Sequence, residues 1–175
     1  WTPALAKAKE EAAQYQKMID KERGGFKLEP YDWRYYSEKL RKEKYDLNDE
    51  DIRPYFALDT AQQGLFMVCN KLYGLTFKEN KDIPVYQKDV KVYEVIDNNE
   101  VIAIVYMDFF PRASKRSGAW MTNFREQYYS REGKNIIPVV SLVFNFTKPS
   151  GDKPAMLNID ELQTMFHEFG HALHS

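Results

Sequence analysis

The sequence predicts an α+β fold that is mainly α-helical, on the basis of three observations. The first half of the 175 residues contains segments bounded by helix start and stop signals. From Val90 the pattern changes to β-branched and aromatic residues, which favour strands. The last segment returns to helical periodicity. We therefore expect part of one domain in residues 1–175, with residues 1–89 mostly helical, a small β-sheet in residues 90–147 and a closing helix in residues 158–175.

Three helices are predicted in the first half of the chain. Pro3 lies where a first helical turn tolerates proline, and Gly24-Gly25 follow the end of the first helix. Asp32 is placed to cap the second helix, and Gly74 follows the third. The predicted helices span residues 4–21, 33–45 and 59–72.

The β-rich segment contains three apolar runs. Residues 92–96 and 101–108 flank Asn98-Asn99, and an Asn-Asn turn between two such runs indicates a hairpin. The third run, residues 136–146, is almost wholly apolar, as expected for a strand that is covered on both faces. The basic stretch between the runs, residues 110–120, is interpreted as a solvated connector.

The composition argues against several kinds of partner. Charged residues make up 29% of the chain and leave a net charge of -1, so no field favours nucleic acid or an anionic membrane surface. The start of the chain does not resemble a signal peptide, and no apolar run is long enough to span a bilayer. Cys69 is the only cysteine, so we expect no internal disulfide and a reducing compartment, the cytoplasm, with the periplasm as the alternative.

The two ends of the chain both look cut. Trp1 is not an initiator methionine, and Ser175 falls inside a helical pattern that has no stop signal. We therefore expect the chain to be an excised segment of a longer polypeptide.

The closing helix carries the pattern His-Glu-Phe-Gly-His at residues 167–171. Histidines four residues apart lie about one turn from each other and can direct two imidazoles at one ion. A carboxylate next to the first histidine can take a proton from water whose pKa zinc has lowered from 15.7 toward about 7. The pattern therefore predicts a zinc site with His167 and His171 as ligands and Glu168 as the general base.

The predicted closing helix has two faces. Asn158 and Glu161 have the spacing of a capping box, so the helix is expected to begin near Ile159. At about 100° per residue, apolar side chains fall on one side and histidines on the other. The apolar set is Leu162, Met165, Phe166, Phe169 and Leu173, and the histidine set is His167, His171 and His174. We expect the histidine face to look into a cleft and the apolar face to pack on the core.

The ligand set is incomplete in this sequence, because catalytic zinc normally has three protein ligands. No Glu, Asp or His follows His174. Asp108 could fold back from upstream, although nothing in the sequence singles out one carboxylate. His174 itself is interpreted as a residue that orients a ligand or supports the fold. Gly170 costs the helix about 1 kcal/mol relative to Ala, which suggests close approach of a strand or a substrate.

Several blocks of the sequence resemble a known family. Residues 164–174 are similar to the active-site helix of the thimet oligopeptidase family. Residues 31–36, 111–120 and 144–149 resemble the bacterial peptidyl-dipeptidases of that family, also called dipeptidyl carboxypeptidases. The blocks agree in order over nearly the whole chain, which is therefore identified as a member of this family.

The resemblance implies a mainly α-helical, two-lobed zinc peptidase of the zincin type with a deep channel. This chain would form part of its catalytic domain, with His167 and His171 as zinc ligands and Glu168 as the catalytic base. The family's third ligand is a Glu on the next helix, beyond Ser175. The rest of the parent polypeptide is therefore an expected partner, and one zinc ion is the expected cofactor.

The implied reaction is hydrolysis of short peptides at the second bond from the C-terminus, which releases dipeptides. Gly118 and Ala119 match the part of the family that supplies an edge strand near the substrate, where backbone groups pair with an extended peptide. That role competes with the solvated connector proposed above. Two alternatives for the function stay open: an oligopeptidase that cuts internal bonds of short peptides, and a non-catalytic structural segment that lacks the third zinc ligand.

Overall fold

The computed structural model describes residues 1–45, 49–151 and 154–175. The chain divides into two compact units, Trp1–Asp51 and Ile52–Ser175, and each unit has a hydrophobic core of its own. None of the helices in these described ranges is long and apolar enough to cross a membrane.

The first unit is helical. It contains α1 (Thr2–Lys21), a 3-10 turn at Pro30–Asp32 and α2 (Trp33–Tyr45), and it ends within the short α3 (Asp49–Ile52). The two helices predicted for this region are confirmed. The core of the unit comprises Tyr15, Met18, Ile19 and Tyr36.

Asp32 does not cap α2 in the way that the sequence suggested. Its carboxylate accepts a hydrogen bond of 3.1 Å from the backbone N–H of Glu29, and the residue ends the 3-10 turn that precedes α2. Pro30 starts this turn, because its fixed φ suits a first helical position and it has no N–H that needs a partner. The helical conformation therefore begins before the predicted cap.

The helices of the second unit lie at its start and at its end. A 3-10 turn at Arg53–Tyr55 leads into α4 (Leu58–Tyr73), which matches the predicted third helix to within one residue at each end. Gly74 ends α4 with a φ of 75°, a conformation that glycine adopts without the steric cost of a Cβ. The closing helix is α5 (Ile159–His174).

The described residues of the second unit form seven strands. They are β1 (Thr76–Glu79), β2 (Lys91–Asp97), β3 (Glu100–Asp108), β4 (Trp120–Arg125), β5 (Tyr128–Tyr129), β6 (Asn135–Ile136) and β7 (Val139–Val143). Five of them form a mixed sheet in the order β1-β2-β3-β7-β4, and β5 pairs with β6 in a separate small sheet. Within the mixed sheet, β7 runs parallel to β3 and the other neighbours are antiparallel. The α+β class is therefore confirmed.

The predicted hairpin is confirmed as β2 and β3. Asn98 and Asn99 at its tip have φ angles of 46° and 66°, as a type I′ turn requires at both central residues. The sequence did not predict β1, which pairs with the outer side of β2. Only Phe77 among its four residues is even partly buried, so the strand has no alternating pattern to reveal it.

The third strand was predicted over residues 136–146, but β7 in the structure covers only Val139–Val143. Pro138 immediately precedes β7 and has no N–H to donate to a ladder, and Ile136 pairs in the small sheet instead. Four of the five residues of β7 are buried, as predicted for a strand that is covered on both faces. After its end, the backbone N–H of Phe144 still donates to the carbonyl of Asp108 at 2.8 Å.

Helices α4 and α5 contribute to the core on one face of the mixed sheet. The ring of Phe169 in α5 lies with its centroid 5.6 Å from that of Phe77 in β1 and 6.2 Å from that of Phe66 in α4. Met165 in α5 is fully buried in the same core. Because α5 packs against β7 and β4, it lies toward the β4 edge of the sheet.

Candidate metal centre

Helix α5 is fixed at its start by a reciprocal capping box. The side chain of Asn158 accepts a hydrogen bond of 2.8 Å from the backbone N–H of Glu161, and Glu161 accepts one of 2.9 Å from the backbone N–H of Asn158. Glu161 also accepts a bond of 3.0 Å from the backbone N–H of Thr147. The predicted start at Ile159 is confirmed, and this end of α5 is tied to the segment that follows β7.

The buried side of α5 differs from the predicted apolar face. Met165 and Phe169 are buried as expected, but Phe166 and Leu173 are 37% and 41% exposed. At about 100° per residue, both lie on the outer flank of the helix, beyond the arc that the sheet covers. Glu168 occupies the opposite flank and is only 8% exposed. The sheet therefore buries a carboxylate where the pattern suggested a fully apolar face.

His167 and His171 lie close together on the exposed side of α5. Their Nε2 atoms are 3.2 Å apart, and their ring centroids are 4.8 Å apart at 84°. Two nitrogens bound to one tetrahedral zinc ion at about 2.0–2.1 Å lie about 3.3–3.4 Å from each other. The separation of the two nitrogens is therefore compatible with one shared zinc ion.

Glu168 follows the first of these histidines and lies about 100° around the helix from it. It is the only charged side chain of α5 that is buried. Its carboxylate has no hydrogen-bond or ion-pair partner among residues 1–45, 49–151 and 154–175. No buried side-chain oxygen in the described ranges lacks a hydrogen-bond partner, so the carboxylate oxygens of Glu168 keep some access to solvent although the residue as a whole is buried. An accessible carboxylate without a partner is available to accept a proton or a hydrogen bond from a ligand at the histidines.

A complete ligand set is not present in the described part of the chain. No group of three or more His, Cys, Asp or Glu residues there is arranged to hold a metal ion. Asp108, the upstream carboxylate considered from the sequence, faces away from α5. Its neighbour Met107 lies in the core with Met165, and adjacent side chains of a strand point to opposite faces. Asp108 is therefore not the third ligand.

Asp108 instead lies at the centre of a buried polar cluster. Both its carboxylate oxygens accept bonds from Arg112, at 2.8 and 2.9 Å, and one accepts a bond of 3.2 Å from Lys115. Tyr86 donates to the other oxygen at 3.1 Å and lies 3.5 Å from the hydroxyl of Ser141. We call these five residues the Asp108 cluster.

Residues 110–120 are only in part the solvated connector that was predicted: residues 111, 113, 114 and 116–118 are exposed, while Arg112 and Lys115 attach the segment to the Asp108 cluster. The side chains of Lys115 and Asp108 are 3% and 2% exposed. Burial lowers the pKa of the Lys115 ammonium, because the charged form loses water. Burial likewise raises the pKa of the Tyr86 hydroxyl. Sequence analysis missed these partners, although an Asp that ends an apolar run and is followed by a basic stretch was a visible signal.

Gly118 and Ala119 immediately precede β4, the edge strand of the mixed sheet. The Nδ2 atom of Asn145 donates to the carbonyl of Gly118 at 2.7 Å. Helix α5 packs against β4, and the hydroxyl of Ser175 lies 3.8 Å from the sulfur of Met121 in that strand. The edge strand and the histidine-bearing helix are therefore neighbours, while the assignment of Gly118 and Ala119 to substrate binding stays a prediction.

Two further residues of α5 were considered in the sequence. His174 is exposed and makes no hydrogen bond or ring contact within the described ranges, so its supporting role stays a prediction. A Cβ added to Gly170 would meet no atom within 4 Å. The close approach of a strand suggested for Gly170 is therefore not seen among the described residues.

Comparison with known proteins places the chain in a family. A model of Peptidase family M3 matches residues 2–175. The chain is 46% identical to dipeptidyl carboxypeptidase of Escherichia coli and 42% identical to oligopeptidase A of the same organism, in each case over 98% of this chain and 25% of the relative. It is also 32% identical to a thimet-like oligopeptidase of Dictyostelium discoideum, over 99% of this chain and 27% of the relative. The chain thus spans about a quarter of the length of these relatives. Because the family match extends over nearly every residue, the chain belongs to Peptidase family M3.

Proposed function

We propose that this chain supplies two zinc ligands and the general base to the active site of a polypeptide that hydrolyses short peptides. One observation carries the proposal: the Nε2 atoms of His167 and His171 are 3.2 Å apart, and the next residue after His167 is Glu168, whose carboxylate has no partner in the described ranges. Membership of Peptidase family M3 supports the same class of reaction.

The chain's own residues divide the chemistry between them. His167 and His171, on the exposed side of α5, would hold the ion through their imidazole nitrogens. Zinc, when bound, would lower the pKa of the attacking water and polarise the scissile carbonyl. Glu168 accepts a proton from that water as it attacks the carbonyl carbon, and it then delivers the proton to the leaving nitrogen when the C–N bond breaks.

The third zinc ligand is proposed to be a carboxylate outside residues 1–175, contributed by the rest of the polypeptide. Two observations support this proposal. The described residues hold no group of three potential ligands, and Asp108 is engaged on the opposite face of the sheet. We further propose that the chain forms part of a two-lobed zincin-type catalytic domain, with short peptides as substrates, and that the protein acts in the cytoplasm.

We propose that the reaction releases C-terminal dipeptides. The relative at 46% identity is called a dipeptidyl carboxypeptidase. Cleavage of internal bonds is the second candidate, since a relative at 42% identity is called oligopeptidase A. The identities of this chain to the two relatives, 46% and 42%, are too close to favour one of these reactions over the other. A substrate experiment separates them directly.

The experiment uses the full-length polypeptide that contains this chain. A tetrapeptide with a blocked N-terminus is supplied with either a free or an amidated C-terminus, and the products are identified by mass spectrometry. We expect a released dipeptide from the free form and cleavage of the amidated form to be at least about tenfold slower, as loss of one charge-assisted contact predicts. Equal cleavage of both forms would replace the dipeptidase proposal with internal cleavage.

Residues 1–175 alone test the non-catalytic alternative. Two imidazoles do not complete a catalytic zinc site, so we expect weak zinc binding and no peptide turnover from the isolated segment. Zinc binding is measured by competition with a chromophoric chelator. Stoichiometric binding at nanomolar free zinc would contradict the proposal that a ligand is missing.

A further inference from the structure

The loop between β3 and β4 carries the backbone of Gly118 and Ala119, and side chains hold it in place. Within residues 111–119, all of which the structure describes, the one backbone–backbone hydrogen bond joins the N–H of Lys115 to the carbonyl of Arg112 at 2.9 Å. That bond is internal to the loop and does not attach it to the sheet. The position of the loop is therefore set by side-chain contacts.

Lys115 attaches the middle of this loop to the ends of two strands. Its ammonium group donates to the carboxylate of Asp108 at the end of β3 and to the carbonyl of Phe110 at 2.7 Å. It also donates to the carbonyl of Phe144, just after β7. Because this ammonium is buried and fully engaged, the middle of the loop has one defined position.

Asn145 attaches the end of the loop that leads into β4. Its Nδ2 atom donates to the carbonyls of Arg116 at 2.9 Å and Gly118 at 2.7 Å. In the antiparallel register of β4 on β7, Trp120 pairs with Val143. Two residues further on, Gly118 therefore lies opposite Asn145. The side-chain amide of Asn145 thus bonds the Gly118 carbonyl just beyond the last backbone pair of β4 and β7.

Gly118 has a backbone conformation that depends on such a contact. Its φ is 91°, in a region that residues with a Cβ rarely adopt, and no atom lies within 4 Å of the position that a Cβ would occupy. A glycine is therefore needed here for the backbone conformation, which sets the direction of the peptide groups, and not to make room for a neighbouring side chain. The hydrogen bond from Asn145 fixes which way the Gly118 carbonyl points.

We propose that Asn145 is a positioning residue for peptide binding. It holds the Gly118 carbonyl toward β7, so that the outward backbone groups of Gly118, Ala119 and β4 receive an extended peptide in one register beside α5. This inference rests on the proposed function, because it takes the edge of β4 that pairs with no strand in the described ranges as the surface that pairs with substrate. Asn145 acts through the loop and does not touch the histidines or Glu168.

The test is a double-mutant cycle between Asn145 and the substrate backbone in the full-length polypeptide. Peptides carrying an N-methyl group on one amide at a time lose one pairing hydrogen bond each. For Asn145→Ala we expect KM to rise about tenfold with kcat within about twofold of wild type, as loss of binding made equally in both states predicts. At one amide position, N-methylation should lower kcat/KM about tenfold in wild type and less than about threefold in Asn145→Ala.

Asn70→Ala is the matched control. Asn70 also donates from Nδ2 to a backbone carbonyl, that of Leu75 at 3.1 Å, but at the β1 side of the sheet. We expect wild-type KM and wild-type N-methylation penalties from this variant. If Asn145→Ala does not fold, Asn145→Ser, which keeps one donor, is taken through the same peptide series.

Three outcomes would overturn the inference. N-methylation penalties that are equal in wild type and the Asn145 variant would show that the residue does not position the pairing edge. An equal rise of KM in Asn70→Ala would assign the effect to general destabilisation. A wild-type polypeptide that cleaves none of the unmodified peptides would overturn the proposed function, and the inference with it.

Discussion

The second unit contains two clusters of ionisable side chains that differ in how completely they are paired. In the Asp108 cluster, the carboxylate accepts bonds from Arg112, Lys115 and Tyr86. In the second, the His167 cluster of His167, Glu168 and His171, the imidazoles contact each other and Glu168 has no partner in the described ranges. Both clusters include a carboxylate that is less than one-tenth exposed.

The two clusters therefore differ in pairing and in the access of the carboxylate oxygens to solvent, because no buried side-chain oxygen in the described ranges lacks a partner. A buried charge without a partner is unfavourable by several kcal/mol, and a full set of hydrogen bonds offsets most of that penalty. The Asp108 cluster is saturated, so it has no capacity left for a ligand. In the His167 cluster the two imidazoles are within hydrogen-bond distance of each other, while the Glu168 carboxylate keeps its acceptors open in the described ranges. The four predictions that follow concern the two clusters and the helix that carries the second.

The largest effect is expected for Glu168→Gln in the full-length polypeptide. The amide keeps the shape of the side chain but cannot accept the proton, so kcat should fall by about 10²–10⁴-fold. Bound zinc and the thermal midpoint should stay at wild-type values, because Glu168 is neither a ligand nor part of a paired network. Turnover is measured with a fluorogenic peptide and zinc by elemental analysis. Undiminished turnover would remove Glu168 as the base.

Asp108→Asn is expected to reduce stability instead of chemistry. It leaves the Lys115 ammonium and the Arg112 guanidinium without their carboxylate in a buried site, which typically lowers the free energy of unfolding by about 3–5 kcal/mol. Urea unfolding measures the change. The control is Asp59→Asn, which breaks an exposed ion pair with Lys91 and should change the free energy of unfolding by only about 0–1 kcal/mol. Equal losses of unfolding free energy from the two variants would show that the paired Asp108 cluster adds no more stability than an exposed ion pair.

His171→Ala is expected to weaken zinc binding by at least about 100-fold. Loss of a ligand should exceed the roughly 10–100-fold effect of changing a residue that only orients one. The comparison variant is His174→Ala, for which we expect a loss of less than about tenfold in zinc affinity, since that side chain has no hydrogen bond, ion pair or ring contact in the described ranges. Chelator competition gives both affinities. A larger loss of zinc affinity in His174→Ala than in His171→Ala would make His174 the ligand and His171 the supporting residue.

The smallest effect is expected for Gly170→Ala. The added Cβ meets no atom within 4 Å, and alanine favours a helix interior over glycine by about 0.5–1 kcal/mol. The free energy of unfolding should therefore rise by about that amount. A gain in stability together with a higher KM would show that the open space beside Gly170 is used by substrate.

Much of the local structure follows from residues close together in the sequence. Gly74 ends α4, Asn98-Asn99 form the hairpin turn, and the Asn158–Glu161 capping box begins α5. The interactions that decide these features span only a few residues. The pairing of His167 with His171 is of the same kind, because helical geometry alone brings side chains four apart onto one face. The zinc motif could therefore be predicted from the sequence without knowledge of the tertiary structure.

Other features depend on residues that the sequence does not place near each other. Strand β1 exists because Phe77 packs on Phe66 and Phe169, and no local pattern records that packing. The burial of Glu168 and the exposure of Phe166 depend on which arc of α5 the sheet covers. Burial was therefore hardest to predict for the residues of α5 at the border between its buried and exposed sides.

The main helices, the hairpin and the spacing of His167, Glu168 and His171 could be predicted from the sequence, because they depend on short-range periodicity and turn chemistry. The family resemblance came from the blocks of similar sequence. The tertiary structure alone decided that Asp108 pairs with Arg112 and Lys115 instead of facing a metal. It also decided that Asn145 holds the loop before β4. Arg112 and Lys115 lie only four and seven residues from Asp108, but Lys115 also reaches Phe144 and Asn145 reaches Arg116, both across 29 residues. These longer contacts form only when the sheet brings strand ends together.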